Sequence, residues 1–268
     1  MSTQQLRGAS ARSLAATLEA VDGLTGGQAE VGRELFGVVS VLDGAPALRR
    51  VLTDPSTESA AKEQLAASVL GGKVADATLS VVKAAVAGRW SAGRDLTDAL
   101  ETAGVAALVV SDGDASTLET ELFELGQVVA SDDELRAIVN DRTVPADRKA
   151  TLLASIFEGK VGGSTLVLAQ QAAAGRTGSF EKVLGAFGDL IASRRDRILA
   201  HVRVAYEIDA DEKQRLAAAL SAKYSRDVHL NIVVDPSVVG GISVSVGSDV
   251  VDGTMSTRLE AARRQLAG

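Results

Sequence analysis

The residues of this 268-residue chain that could do chemistry are few, and each sits in a pattern that a plainer role explains. Gly27 to Gly32 has the GxxxxG spacing of a phosphate loop, but Arg33-Glu34 stand where Lys and Ser or Thr should hold phosphate and magnesium. With no strand pattern before it, the run reads as a glycine-rich turn between helices. Asp112-Gly113-Asp114, followed by Glu119 and Glu121, has the carboxylates for calcium, yet its glycine is second in the run, where a calcium loop needs it sixth. The run reads as a helix start. His201 and His229 lie on two strand-like segments where they could be neighbours, but two imidazoles without a carboxylate set make a poor metal site. Arg194, Arg195 and Arg197 form the densest basic cluster, at a helix end where the dipole favours cations as well as an anionic ligand would. Trp90 fits a packing or interface anchor. There is no Ser/His/Asp set, no paired-carboxylate spacing and no zinc-protease motif, so the sequence offers no catalytic, metal-binding or cofactor-binding residue.

Composition narrows the class further. The absence of Cys excludes thiolate metal sites, disulfides and Cys nucleophiles, and leaves a reducing cytoplasm as the easiest compartment. A formal charge of -7 argues against a nucleic-acid partner, whose phosphates demand neutralisation. Few prolines and only 3% aromatic residues in an Ala-rich chain favour helices over a β-sandwich. The apolar run expected of a signal peptide is interrupted by Thr17, Glu19 and Asp22. The longest apolar stretch, Ala103 to Val110, falls far short of the roughly 20 residues of a spanning helix.

The elements that must position any working surface show an internal repeat. Sliding the sequence by 87 positions returns Glu34-Leu35-Phe36 as Glu121-Leu122-Phe123, Asp54 as Asp141, Lys62 as Lys149, Gly72-Lys73-Val74 as Gly159-Lys160-Val161, and Ala87-Gly88-Arg89 as Ala174-Gly175-Arg176. Positions 34 to 98 give 20 identities in 65. Within each copy, Leu48, Val51, Leu52 and Leu135, Ile138, Val139 follow helical spacing. The expectation is a mainly α fold with two related bundle units, residues 1–102 and 103–178, followed by 179–268 as a long helix and a small α+β domain.

In that last part, Phe180 to Ile191 stripe a helix, and then Val202, Val204, Tyr206 and Ile208 switch to the period of a half-buried strand. Asp209 and Glu212 resemble a capping box opening a helix through Leu216, Leu220 and Tyr224. Further strands are expected at Val228 to Val234 and Ile242 to Val246, a turn at Gly247-Ser248-Asp249, and a final helix striped by Met255, Leu259, Ala262 and Leu266. All of the excess acidity lies in 1–178, with 16 basic and 23 acidic side chains, against 12 of each in 179–268.

The run Val233-Val234-Asp235-Pro236-Ser237-Val238-Val239-Gly240-Gly241-Ile242, then Val246-Gly247 and Val250 to Leu259 with Asp252-Gly253 and Arg258-Leu259, closely resembles the signature of the F-type ATP synthase delta subunit family. These are the bacterial counterparts of the mitochondrial oligomycin-sensitivity-conferring protein. The two bundle units resemble the enlarged form found in high-GC actinobacteria. Gly240, Gly241, Gly247 and Gly253 have a structural reading of their own, as backbone positions closed to residues with a Cβ and as tight turns.

The resemblance implies a stator subunit without catalysis or cofactor, peripheral on the cytoplasmic face of the cell membrane. Its helical bundle would grip alpha and beta subunits of the catalytic head, and its C-terminal domain would bind the stalk b subunit, resisting rotor torque. Where the family has an aromatic-containing first-helix pattern, this chain has Ala11 to Leu18, so Leu14 and Leu18 inherit the head-binding role. Met255, Arg258, Leu259 and Leu266 are the candidate stalk contacts, their stripe serving either the partner or its own sheet. The alternatives are an enzyme holding an anionic substrate at Arg194 to Arg203, and a helical scaffold outside ATP synthase.

Overall fold

The structure, a computed structural model, describes residues 6–195, 197–206, 208–224, 227–235, 242–246 and 249–252. It divides into two compact bodies, Met1–Arg194 and Arg195–Gly268. Among the described residues the first body is all helical: α1 (Gly8–Asp22), α2 (Gln28–Gly44), α3 (Pro46–Thr53), α4 (Ser59–Leu70), α5 (Asp76–Ala87), α6 (Gly93–Asp112), α7 (Ala115–Ser131), α8 (Asp133–Asn140), α9 (Ala146–Phe157), α10 (Gly163–Ala173) and α11 (Phe180–Arg195).

Moving α2, α3 and α4 along by 87 residues gives the bounds of α7, α8 and α9, and α5 then overlies α10. The same shift carries α1 into α6 and α6 onto α11. One helix, α6, therefore closes the first helical set and opens the second. This explains why its stretch from Ala103 to Val109 is apolar all round. Ala103, Ala106 and Ala107 belong to the first core cluster, with Leu35, Val81 and Leu100, whereas Val105, Leu108 and Val109 belong to the second, with Leu122, Leu153, Leu168 and Phe180.

The repeated polar residues make repeated bonds. Glu34 accepts from the backbone N–H of Ala75 at 2.9 Å and from Thr78 Oγ1 at 2.5 Å; Glu121 accepts from Gly162 N at 2.8 Å and Thr165 Oγ1 at 2.5 Å. Each carboxylate thus sits on the N-terminus of α5 or α10, where free N–H groups and the helix dipole favour an anion. Asp54 and Asp141 close the turns after α3 and α8 by accepting from Ser56 and Thr143. Lys62 and Lys149 are both buried, and Lys149 donates to the carbonyls of Val139 (2.9 Å) and Ala173 (3.1 Å), the open ends of α8 and α10. Gly72 and Gly159 each turn the chain at φ near +70° (71° and 76°), which a side chain with a Cβ resists.

The second body contains β1 (Arg197–Val204), α12 (Ala210–Tyr224), β2 (Asp227–Val234), β3 (Ile242–Val246) and β4 (Asp249–Asp252), in the sheet order β2-β1-β3-β4. β1 and β2 are parallel, joined through α12, and the other pairs are antiparallel. The capping box forms in both directions, Asp209 N to Glu212 Oε2 at 3.1 Å and Glu212 N to Asp209 Oδ1 at 2.7 Å. Ala200, Val202 and Val204 alternate into a small core with Ile208, Leu220 and Val244.

Two details differ from the strand pattern read in the sequence. β1 starts at Arg197, directly after α11, and stops at Val204, leaving Tyr206 exposed. Asp249–Asp252 forms a fourth strand, because its backbone pairs with β3 although only two of its four residues are apolar. Gly240, Gly241, Gly247, Gly253 and the expected final helix with Met255, Arg258, Leu259 and Leu266 lie outside the described residues.

Candidate partner-binding site

Gly27, Gly32, Asp114, Trp90 and Arg194 have structural work. Gly27 is the left-handed residue that starts α2, and Gly32 lies within that helix against Leu108. Asp114 caps α7, accepting from Ser116 N at 3.0 Å and Thr117 Oγ1 at 2.6 Å, so the Asp-Gly-Asp run is a helix start. In the sheet register His201 pairs with Asn231 and His229 with Leu199, two rungs from facing each other. Trp90 is buried, its Nε1 donating to the Ala85 carbonyl at 2.9 Å. Arg194 is ion-paired with Asp22 of α1. Among the described residues no group of three or more His, Asp or Glu could hold a metal ion, and no helix is long and apolar enough to cross a membrane.

The densest polar cluster is one that motif reading missed. Arg176, just beyond α10, donates to Asp43 of α2 at 2.5 Å and, on α6, to Thr97 at 2.5 Å, Asp98 at 2.6 Å and Glu101 at 3.1 Å. Asp43 also receives Arg49 at 3.0 Å, and Gln171 donates to Glu101 at 2.7 Å. Burial alone would lower the Arg176 guanidinium, but Glu101, Asp98 and Asp43 outweigh it and hold it above its ordinary value. Burial pushes the Glu101 carboxyl up, against the pull of Arg176 and Gln171. With its donors occupied by protein acceptors, this cluster is a joint between the two helical sets. Its signal in the sequence was the repeated Gly-Arg, but the twin Arg89 is exposed, so repetition alone could not distinguish joint from surface.

What remains is apolar surface. Leu14 and Leu18 are half-buried on α1, one side packed on the first core cluster. A shallow apolar crevice, open to solvent, lies between α2, α3, α4 and α5, with Leu48, Leu52, Ala66 and Leu70 among its lining. In the second set Leu153 and Phe157 occupy the positions of Ala66 and Leu70, and both are buried. On α7 stands Phe123, 67% exposed, although its twin Phe36 is 7% exposed. An arrangement of packed helices, buried ion pairs and apolar patches can hold other proteins.

The model of the ATP synthase delta (OSCP) subunit family matches residues 103–266. The chain is 42% identical to the ATP synthase subunit delta of Streptomyces griseus, over 98% of this chain and 100% of that protein. It is 43% identical to that of Kineococcus radiotolerans, over 89% of this chain and 88% of the relative, and 40% identical to that of Thermobifida fusca, over 98% and 100%. The chain belongs to the ATP synthase delta (OSCP) family. Membership makes it a structural subunit of the F-type ATP synthase peripheral stalk and not a catalyst. The match to the family model begins inside α6, so α1 to α5 fall outside it, yet the delta subunits of S. griseus and T. fusca align with those helices too.

Proposed function

We propose that this delta subunit ties the catalytic alpha/beta head to the b-subunit stalk on the cytoplasmic face of the cell membrane, the helical body gripping the head and the α+β body gripping the stalk. On this reading residues 1–102 and 103–178 are two bundle units, and 179–268 carries the stalk-binding part. The supporting observation is near-full-length similarity to delta subunits, in a chain whose two compact bodies have separate cores. A stator held through many turnovers needs nanomolar binding, about 12 kcal/mol, which apolar docking surfaces of the kind around Leu14 and Leu18 can supply. The transferred stalk contacts are Met255, Arg258, Leu259 and Leu266.

Deleting residues 195–268 should abolish co-purification with the b subunit and leave binding to the head. Retained b binding would refute the division of labour. The alternatives of an anion-binding enzyme and of a scaffold outside ATP synthase predict that neither alpha, beta nor b accompanies the chain from native membranes.

A further inference from the structure

We propose that the outward face of α7, centred on Phe123, docks a basic amphipathic helix of another subunit of the assembled synthase; the inference rests on the stator reading above. The repeat supplies the precedent. Phe36, one repeat earlier, lies in the second core cluster, with its ring so close to α6 that a Cβ on Gly104 would come within 2.6 Å of it. That stripe of α2 is thus covered by a helix offering a small residue to an aromatic ring. In the second set the position of Gly104 is taken by Ile191, which is fully buried, and Phe123 is left outward. Among the described residues of the helical body no third helical set covers the stripe.

Charge specifies the occupant. α7 itself carries Glu119, Glu121 and Glu124 and no Lys or Arg. Glu119 lies one turn before Phe123, and Glu124, exposed, follows it. A large exposed aromatic anchor on an acidic helix fits a partner helix with a small residue opposite the ring and Lys or Arg on its flanks. The ring supplies affinity through desolvation, and the charges supply orientation and rate.

The test uses synthase membranes stripped of this chain and re-bound with full-length wild type, Phe123→Ser, Glu124→Lys and, as an exposed apolar control on α3, Val51→Ser. Phe123→Ser should weaken rebinding at least tenfold and Glu124→Lys at least threefold with a flatter salt dependence, while Val51→Ser stays within twofold. Melting temperatures should stay unchanged, because all three positions are exposed. With p-benzoylphenylalanine in place of Phe123, illumination should cross-link a helical peptide of net positive charge from another subunit. Unchanged rebinding of Phe123→Ser, or a cross-link only to an acidic peptide or to this chain itself, overturns the proposal while leaving the stator reading intact. Failure of the wild type to rebind overturns both.

Discussion

The two helical sets have nearly the same backbone plan but different surfaces. At the Phe36/Phe123 position one ring is enclosed and the other stands in solvent; at Arg89/Arg176 one cation is exposed and the other is held by three carboxylates; at Leu70/Phe157 both side chains are buried, the smaller one lining a shallow crevice. The conserved features, Glu34/Glu121, Asp54/Asp141 and Gly72/Gly159, set helix starts and turns. The divergent ones decide what each set touches. A helical frame is specified by a handful of capping and turn residues, and the rest of its surface is free to become joint, core or docking face.

The largest test of this contrast is Phe36→Ala against Phe123→Ala. Truncating a buried Phe removes its transfer energy and leaves a cavity, so Phe36→Ala should cost about 3–4 kcal/mol in denaturant unfolding of the full chain. Phe123→Ala should cost under about 0.5 kcal/mol, because its ring contributes little to the isolated fold. Equal losses would mean that the two positions are not the inside and outside versions of one site. Next comes the joint. Arg176→Met strips the cation from Asp43, Asp98 and Glu101 and, allowing for partial solvent access, should cost about 2–3 kcal/mol. Arg89→Met should stay within about 0.5 kcal/mol.

A smaller effect sharpens the comparison at the crevice. Copying the second set into the first with Leu70→Phe should stabilise the chain by about 1 kcal/mol by adding apolar contact in the crevice, and the reverse change Phe157→Leu should cost about the same. A loss on Leu70→Phe would show that α2 to α5 are already packed to capacity around it.

Most of the frame was legible in the sequence because it depends on local rules. The offset of 87 in the helix bounds and the capping box at Asp209/Glu212 appear where they were read, while the strand that follows α11 begins five residues earlier, at Arg197, and ends at Val204. An offset matches positions, however, and does not reveal that α6 serves two sets; the clue was a stretch, Ala103 to Val109, apolar on every side. Long-range features left little local signal. Arg176 finds Asp43 across 133 positions, and Phe123 differs from Phe36 only through what stands opposite it, Ile191 instead of Gly104. The candidate contacts Leu14 and Leu18 came from the family resemblance alone, because half-buried leucines on an amphipathic helix are the same in sequence whether they face core or partner.

The smallest effect separates joint from frame by pH. Burial raises the Glu101 carboxyl above its ordinary 4.5, so the fold binds this proton more readily than the unfolded chain. Its unfavourable contribution is complete above the raised folded pKa and lifts as pH falls towards 4.5. Gln mimics the protonated form, so Glu101→Gln should melt higher than wild type at neutral pH, and the gap should close on acidification. Asp141 has the opposite sign. Hydrogen bonds from the Thr143 backbone and side chain hold it below its ordinary 3.8, so its contribution is present above 3.8 and is lost as pH falls through the lowered folded value. Asp141→Asn should therefore melt lower than wild type at neutral pH and converge with it only in stronger acid. Thermal melts of the three proteins across the acid range check both signs. A pH-independent gap for Glu101→Gln would mean that Arg176 cancels the burial of Glu101, making the joint a balanced pair and not a strained one.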